Sequence, residues 1–480
     1  MRERKDREPS SRLAAWYRRA AVRSRIAEYC GGSMAPPAAS CVHPIAGYGG
    51  VRRLSEPDGG PVAGPASMVG ALFAQGADVC RSLADNQGTL FHLDLDYTSP
   101  SDPSEPFRRP QRVFARLEPV YRDALERLAR YSVHPLSLMT ARGYHLVFRV
   151  RRGSPFHRSL CEIGMVNESL RARYGRQEGG LPGALDMGRA HEGAGRLAEH
   201  LGHEMLYGLR GRTTVPVTLA DVPPSGRGPF ICLDLSAYGD PLFGRYIRCA
   251  FSSNQKAWMG GLVPQRPFVL VLPRRRSYAE VLEAREDPAA AARLARVENA
   301  AIPNAPAECL AWVNDYRGSA LARFHDAFER GPQMQRADWP YSYDSLDLRA
   351  FPECVRRALE TPNPTLLAPV FLRTVTLALW ALGWHPRSVA GLIRSRFEAN
   401  HGWSGYWSRY DAAARAEFYV RVLSGAVAAG LDAPSDFTCE SQALRGACAQ
   451  QACGHDLGAL FPDITRDRPR GAWRRERRPV

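Results

Sequence analysis

The stretch Thr89-Leu-Phe-His-Leu-Asp-Leu-Asp-Tyr97 has the alternation of a β-strand, with apolar side chains at every second position. Because successive side chains of a strand point to opposite faces, Asp94 and Asp96 lie together on one face. Two adjacent carboxylates repel each other unless a cation lies between them. Mg²⁺ and Mn²⁺ prefer oxygen ligands, so the pattern predicts a divalent-metal site. The alternative is a strand whose aspartates face solvent or pair with arginines.

The composition predicts a soluble intracellular protein of two domains plus tails. The 480 residues exceed what one core usually supports, and 45% of them are hydrophobic. No apolar run approaches the ~20 residues needed to cross a bilayer, and the N-terminus lacks the apolar stretch of a signal peptide. The 11 scattered cysteines do not resemble a secreted disulfide framework. We therefore expect the cytoplasm or nucleoid, or the nucleus of a eukaryotic host, and no membrane partner.

The net charge of +15 is concentrated at the two ends of the chain. Residues 1–30 contain nine Lys/Arg against four Asp/Glu, and residues 466–480 contain seven arginines against two acids. Basic tails favour salt-sensitive contact with the phosphates of a nucleic acid. For residues 1–33, solubilising disorder or a mis-assigned start codon is the alternative.

Further strand patterns carry polar residues. Residues 135–140 and 143–150 read as two short strands, and in the second His145 lies on the face opposite its apolar neighbours. Residues 229–235 predict another strand, in which Asp234 is opposite the apolar side chains. A third carboxylate thus joins the pair at the first strand.

The segment Gly244–Lys256 mixes a short strand with cationic and hydroxyl side chains. Lys256 stands out because the chain contains only two lysines, the other being Lys5, against 62 arginines. A lysine retained at this position indicates that the position requires a property that arginine lacks. The alternative is that the lysine occurs here by chance. Lysine's compact ammonium occupies less room than the planar guanidinium.

Four motifs over residues 94–256 resemble, in their order, the catalytic domain of archaeo-eukaryotic primases and primase-polymerases. They are D-x-D, small-x-Gly-x-His, hydrophobic-Asp and Arg…Ser-x-x-Lys. The resemblance implies that Asp94, Asp96 and Asp234 bind two Mg²⁺ or Mn²⁺ ions. It also implies a nucleotide-binding set of His145, Arg142, Arg248, Ser253 and Lys256. The chain departs from the family at Ala141-Arg142, where a smaller pair is common, and shows no zinc module, since only Cys161 lies between the second and third motifs.

The chemistry of nucleotidyl transfer requires this set of residue types. Carboxylates hold two metals about 3.5–4 Å apart, one at the attacking 3′-oxygen and one at the leaving pyrophosphate. Cationic side chains then neutralise the triphosphate. Polymerase-β-type nucleotidyltransferases also use D-x-D, but residues 76–93 lack the Gly-Ser pair that precedes it there.

The C-terminal part predicts a helical block with its own cysteines. Helical periodicity covers residues 364–382, 386–400 and 411–429. Cysteines flank the helices at both ends: Cys354, Cys439, Cys448 and Cys453. Their wide gaps fit a 4Fe-4S cluster slightly better than structural Zn²⁺, and unlinked buried thiols are the alternative. The block resembles the C-terminal iron–sulfur domain of the primase large subunit.

Together these patterns predict an α+β fold, in which an RRM-like primase-polymerase domain precedes an all-α metal-binding domain. The predicted boundaries are a disordered region 1–66, a catalytic domain 67–275, a helical linker 276–345, a four-cysteine domain 346–465 and an Arg-rich tail 466–480. The implied function is DNA-directed primer synthesis from nucleoside triphosphates on single-stranded DNA. Alternatives are a gap-filling polymerase without initiation and a non-catalytic single-stranded nucleic-acid-binding protein. No Walker A sequence occurs, so we expect a separate replicative helicase as partner.

Overall fold

A computed structural model describes residues 13–31, 42–45, 78–85, 87–175, 185–224, 228–239, 246–254, 267–360, 368–399, 411–431, 437–444, 446, 448 and 453–460. Lys256, the tail 466–480 and most of the predicted disordered region lie outside these ranges. The described chain mixes helices with a large sheet, in agreement with the predicted α+β class. None of its described helices combines the length and apolar character needed to cross a bilayer.

The strands form two sheets. They are β1 (Val42–Ile45), β2 (Asp78–Ser82), β3 (Ala84–Asp85), β4 (Gly88–Thr98), β5 (Leu136–Met139), β6 (Gly143–Arg151), β7 (Val217–Thr218), β8 (Phe230–Asp234), β9 (Tyr246–Arg248) and β10 (Leu270–Val271). The larger sheet has the order β10-β5-β6-β4-β8-β7 with β3 beside β4, and the smaller has β1-β2-β9. Of these pairings β7 with β8 is parallel and the others are antiparallel. The strands predicted around β4, β5, β6 and β8 are confirmed.

Strand β4 lies at the centre of the larger sheet, between β6 and β8. Its first six residues are buried on both faces, whereas Asp94, Asp96 and Thr98 are partly exposed. One face of the sheet is therefore covered by helices along most of β4 and becomes accessible at its C-terminal end. The candidate site lies at this uncovered end.

The helices follow in chain order. They are α1 (Ala20–Tyr29), α2 (Glu105–Arg108), α3 (Pro110–Ala129), α4 (Pro155–Ile163), α5 (Glu168–Gly175), α6 (Leu185–Gly208), α7 (Tyr278–Ala284), α8 (Pro288–Val297), α9 (Cys309–Gly318), α10 (Ala320–Glu329), α11 (Glu353–Glu360), α12 (Pro369–Ala381), α13 (Pro386–Glu398), α14 (Ala412–Ala428) and α15 (Cys439–Leu444). The three helices predicted in the C-terminal block are confirmed as α12, α13 and α14.

Two local predictions differ from the structure. Apolar residues at helical spacing between Val120 and Tyr131 predict a helix that starts at Glu118, whereas α3 begins at Pro110 and contains Pro119 in its interior. Pro110 supplies the first-turn proline that the pattern assigned to Pro119, and buried Val113 and Leu117 extend the apolar face towards it. The sequence also predicts a short helix over residues 69–83, but residues 78–82 form strand β2, paired with β1 and β9.

The N-terminal segment, residues 13–31, is helical and packed, although the sequence predicted disorder over 1–66. Residues 13–17 form a short helical turn that leads into α1. Trp16, Tyr17, Ile26 and Tyr29 are all buried. Arginines alternate with these apolar residues in the segment. The high net charge of the segment therefore predicted disorder, although its apolar residues face the core.

Ion pairs buried in the interior join the sheet-bearing part to the C-terminal helices. On α6, Glu199 is 3.2 Å from Nε2 of His325 and 3.5 Å from Nε of Arg421, which belongs to α14. Arg421 also contacts Glu192, which pairs with Arg196. The three predicted units thus share polar contacts in their interior, and the boundaries proposed at 275 and 345 remain predictions.

Candidate active site

Hydrogen-bond register places the predicted acidic residues side by side on one face of the larger sheet. Asp94 on β4 lies opposite His145 on β6 and opposite Asp234 on β8. Residues directly opposite each other in antiparallel strands share a face, with Cβ atoms about 4.5–5.5 Å apart. Asp96, two positions along β4, shares that face as well. Strands β4 and β8 therefore bring together carboxylates that are far apart in sequence, and β6 adds His145 beside them.

The site is half-buried. The side chains of Asp94, Asp96 and His145 are 20%, 13% and 12% exposed. Oδ1 of Asp234 accepts a hydrogen bond from the backbone N–H of Ser236 at 2.8 Å. This bond fixes the Asp234 carboxylate at the end of β8.

His145 and Asp94 form an ion pair across their two strands. Nε2 of His145 is 3.4 Å from Oδ1 of Asp94. Burial opposes ionisation of Asp94, but His145, together with His92 and Arg142, lowers the pKa of this carboxyl to about 2. Burial also opposes the charged imidazole, yet Asp94, together with Asp96, raises the pKa of His145. Asp94 is therefore ionised at neutral pH, beside an imidazole that favours its protonated form.

Asp96 is paired with Arg142 instead. Nε of Arg142 donates to Oδ2 of Asp96 at 2.8 Å. Burial and the charge of Asp94 raise the pKa of Asp96 to about 6, although the guanidinium opposes them. The Asp96 carboxylate in turn raises the pKa of Arg142. One arginine thus does not fully offset the repulsion between the two carboxylates, and a further cation beside them would favour ionisation of both.

The strand β9 contributes a further cation. The charge of Arg248 at the end of β9 acts on His145, opposing the effect of Asp94 on the pKa of the imidazole. Nη1 of Arg248 donates to the carbonyl oxygen of Ser253 at 2.9 Å. Ser253 is fully buried, so its carbonyl oxygen gives the Arg248 guanidinium a fixed hydrogen-bond acceptor. We call residues 249–253 the β9 turn. Lys256, three residues further on, lies outside the described residues.

Two residues near the site were missed by sequence reasoning. The ring centroid of His92 lies 4.6 Å from that of His145, in an edge-to-face arrangement. The same strand alternation that pairs Asp94 with Asp96 also places His92 on their face, so the signal was present. Asp221, in the exposed loop after β7, acts electrostatically on Arg142. A single aspartate in a loop carries no sequence pattern that would have identified it.

The four cysteines at the ends of the helical block lie near one another. Burial raises the pKa of the Cys354 thiol to about 12, and the nearby thiols of Cys448, Cys439 and Cys453 add to this effect. Sγ of Cys439 and Sγ of Cys453 lie 3.8 and 4.0 Å from the same carbonyl oxygen, that of His455. The helices α12, α13 and α14 therefore bring both ends of the block together.

No three carboxylate, thiol or imidazole groups within the described ranges have the spacing of a formed metal site. This holds for the acidic residues of the sheet and for the four thiols. The metal ions predicted from the sequence therefore remain proposals.

Comparison with known proteins adds little to this geometry. No protein-family model and no curated protein matches the chain. Among solved structures, the polymerase domain from Mycobacterium tuberculosis Ligase D in complex with DNA is similar, with a TM-score of 0.34 and 14% identity. The alignment covers 60% of this chain and 90% of that chain. A TM-score this low does not establish a shared fold, so a functional assignment depends on the site itself.

Proposed function

We propose that this chain is a nucleotidyltransferase that synthesises a primer on single-stranded DNA from nucleoside triphosphates. The observation that carries the proposal is the cross-strand row of Asp94, Asp234 and His145, with Asp96 and Arg142 beside it. Clustered carboxylates bordered by cations are the arrangement that a metal-bound triphosphate requires. Priming itself rests on the sequence resemblance to archaeo-eukaryotic primases.

The acidic residues fit divalent ions by their chemistry and their electrostatics. Asp94, Asp96 and Asp234 would hold two Mg²⁺ or Mn²⁺ ions through hard oxygen ligands. Oδ1 of Asp94 is buried and receives no well-directed hydrogen bond from any described residue. Burial and, after it, the neighbouring charge of Asp94 raise the pKa of Asp96, and bound cations would offset the second of these effects. When bound, the two ions would activate the primer 3′-hydroxyl and stabilise the leaving pyrophosphate.

The cationic side chains would bind the nucleotide phosphates. Arg142 is 45% exposed, so its guanidinium has room to turn from Asp96 towards a phosphate. His145, held by Asp94, would present a protonated imidazole to the same group. Arg248 would add a third positive charge from β9, and Lys256 a fourth. Charge-assisted hydrogen bonds of this kind orient the triphosphate for in-line attack.

The four cysteines would hold a 4Fe-4S cluster, or alternatively Zn²⁺. The backbone N–H of Leu457 lies 3.4 Å from Sγ of Cys439, a donor contact that stabilises a thiolate ligand. The gaps of eight and four residues between Cys439, Cys448 and Cys453 are wider than those of typical structural zinc sites, which favours the cluster. The helical block would then help to hold the template and the initiating nucleotide, with a separate helicase supplying the single strand.

Primer synthesis can be tested directly on unprimed single-stranded DNA. Full-length protein is incubated with labelled ribo- or deoxyribonucleotides and Mn²⁺ or Mg²⁺, and product length is measured. Asp96→Asn should lower product formation by at least about 100-fold, while Asp338→Asn, an exposed aspartate remote from the site, should not.

The possible outcomes distinguish primer synthesis from each alternative function. Extension of primed but not of unprimed template would indicate a gap-filling polymerase. Binding of single-stranded DNA without any synthesis would indicate a non-catalytic binding protein. Near-normal synthesis by Asp96→Asn would place the active site elsewhere.

A further inference from the structure

The N-terminal segment contacts the β9 turn through directed hydrogen bonds. Nε1 of Trp16 donates to the carbonyl oxygen of Phe251 at 3.0 Å. The backbone N–H of Ser253 donates to the Tyr17 hydroxyl oxygen, also at 3.0 Å. The Trp16 ring also packs against Phe268, with centroids 4.2 Å apart and the ring planes tilted by 30°. Two adjacent aromatic residues therefore hold the backbone of the turn.

The C-terminal end of the same segment contacts the start of the turn. Sγ of Cys30 is 3.7 Å from Sγ of Cys249, and both residues are buried. Arg81 on β2 donates to the carbonyl oxygen of Tyr29 at 2.8 Å, which ties the end of α1 to the smaller sheet. Both ends of the N-terminal segment thus contact the β9 turn.

The β9 turn needs such support because its backbone is strained. Phe251 has a φ of 62° and is fully buried. A left-handed backbone at a bulky residue is strained and persists only where the surrounding structure enforces it. Ser253, at the end of the turn, accepts the hydrogen bond from Arg248. A shift of the turn would therefore move the guanidinium of Arg248.

We infer that Trp16 and Tyr17 are positioning residues for nucleotide binding. They fix the β9 turn, and the turn fixes Arg248 beside His145, where the incoming phosphates would lie. Neither residue touches the nucleotide. This role rests on the proposed function, because that function assigns the phosphates to Arg248.

The test removes one hydroxyl and compares it with a matched control in the full-length protein. Tyr17→Phe removes the hydroxyl that accepts from the Ser253 N–H and that also contacts the Ser252 hydroxyl. Tyr29→Phe makes the same chemical change at a buried hydroxyl that has no hydrogen-bond partner among the described residues. Amide hydrogen exchange at Ser253 and the KM for nucleotide on a primed template are measured for both.

Tyr17→Phe should speed exchange at Ser253 and raise KM about fivefold, the equivalent of one hydrogen bond of about 1 kcal/mol, with kcat unchanged. A merely structural role would lower the active fraction, and so kcat, without changing KM. Tyr29→Phe should leave both values at those of the wild type. If Tyr17→Phe does not fold, Trp16→Phe retains an aromatic ring, removes the indole N–H and should raise KM in the same way.

The outcomes distinguish this inference from the proposed function. Unchanged exchange at Ser253 would show that Tyr17 does not hold the turn, and faster exchange with an unchanged KM would show that the turn does not position the nucleotide. Either result overturns the inference while the polymerase assignment stands. A wild-type protein that extends no template would refute the proposed function, and the positioning role would fall with it.

Discussion

Replacing Arg421 with methionine should lower the free energy of unfolding by about 3 kcal/mol. Nε of Arg421 is 3.5 Å from Oε2 of Glu199, whose side chain is fully buried. At that distance and an effective dielectric constant of about 20, the attraction is about 5 kcal/mol. His325, 3.2 Å from the other Glu199 oxygen, remains and offsets part of the loss. Methionine fills a similar volume without restoring the charge.

Urea unfolding at pH 7, followed by circular dichroism, measures this change. Arg356→Met is the matched control, since Arg356 is 34% exposed and pairs with Glu353 within one helix. Removal of this solvated pair should cost much less than removal of Arg421, because water screens the two charges. Combining Arg421→Met with Glu199→Gln should recover part of the loss, because the uncompensated buried charge is then absent.

Two results would refute this account of the junction. A loss below about 1 kcal/mol for Arg421→Met would mean that water or other groups solvate Glu199 adequately. A double variant whose loss equals the sum of the single losses would mean that the two residues do not interact. In both cases the C-terminal helices would be joined to the sheet mainly by apolar contacts.

Three further predictions concern other parts of the chain. Burial raises the pKa of Glu417 to about 7, so the folded protein retains a proton that the unfolded chain releases near pH ~4.3. This contribution to stability is complete below about pH 4 and is lost as the pH rises through 7. Glu417→Gln should therefore reduce the fall of the melting temperature with pH between pH 5 and 8. A melting temperature that falls as steeply in the variant as in the wild type would contradict this prediction. Lys256→Arg should raise the nucleotide KM or lower turnover about tenfold, or 1.4 kcal/mol, without changing thermal stability, and full activity would remove Lys256 from the site. Anaerobically purified protein should be brown, absorb near ~400 nm and contain about four irons, all lost in Cys354→Ser. One equivalent of zinc in a colourless protein would replace the cluster with a zinc site, and metal-free folded protein would leave the cysteines as buried thiols.

Local patterns in the sequence were sufficient for the strands and for the face on which each polar residue lies. Alternation along residues 89–97 predicts β4 and places Asp94 with Asp96, because the two-residue period of a strand is a property of the chain itself. The helical period similarly predicts α12, α13 and α14. The proximity of the four cysteines was an inference from their positions at the ends of that block.

Only the tertiary structure decided which residues meet. The pairing of Asp94 with both His145 and Asp234 depends on strand register, which is set by contacts between distant segments. The raised pKa of Asp96 depends on its burial. Its hydrogen-bond partner Arg142 lies in the turn between β5 and β6, far from Asp96 in sequence. The packing of Trp16 against Phe251 joins residues 235 positions apart, and no local period encodes such a contact. Sequence periodicity reports the faces of each element, whereas the choice of partner is determined by the burial of those faces against one another.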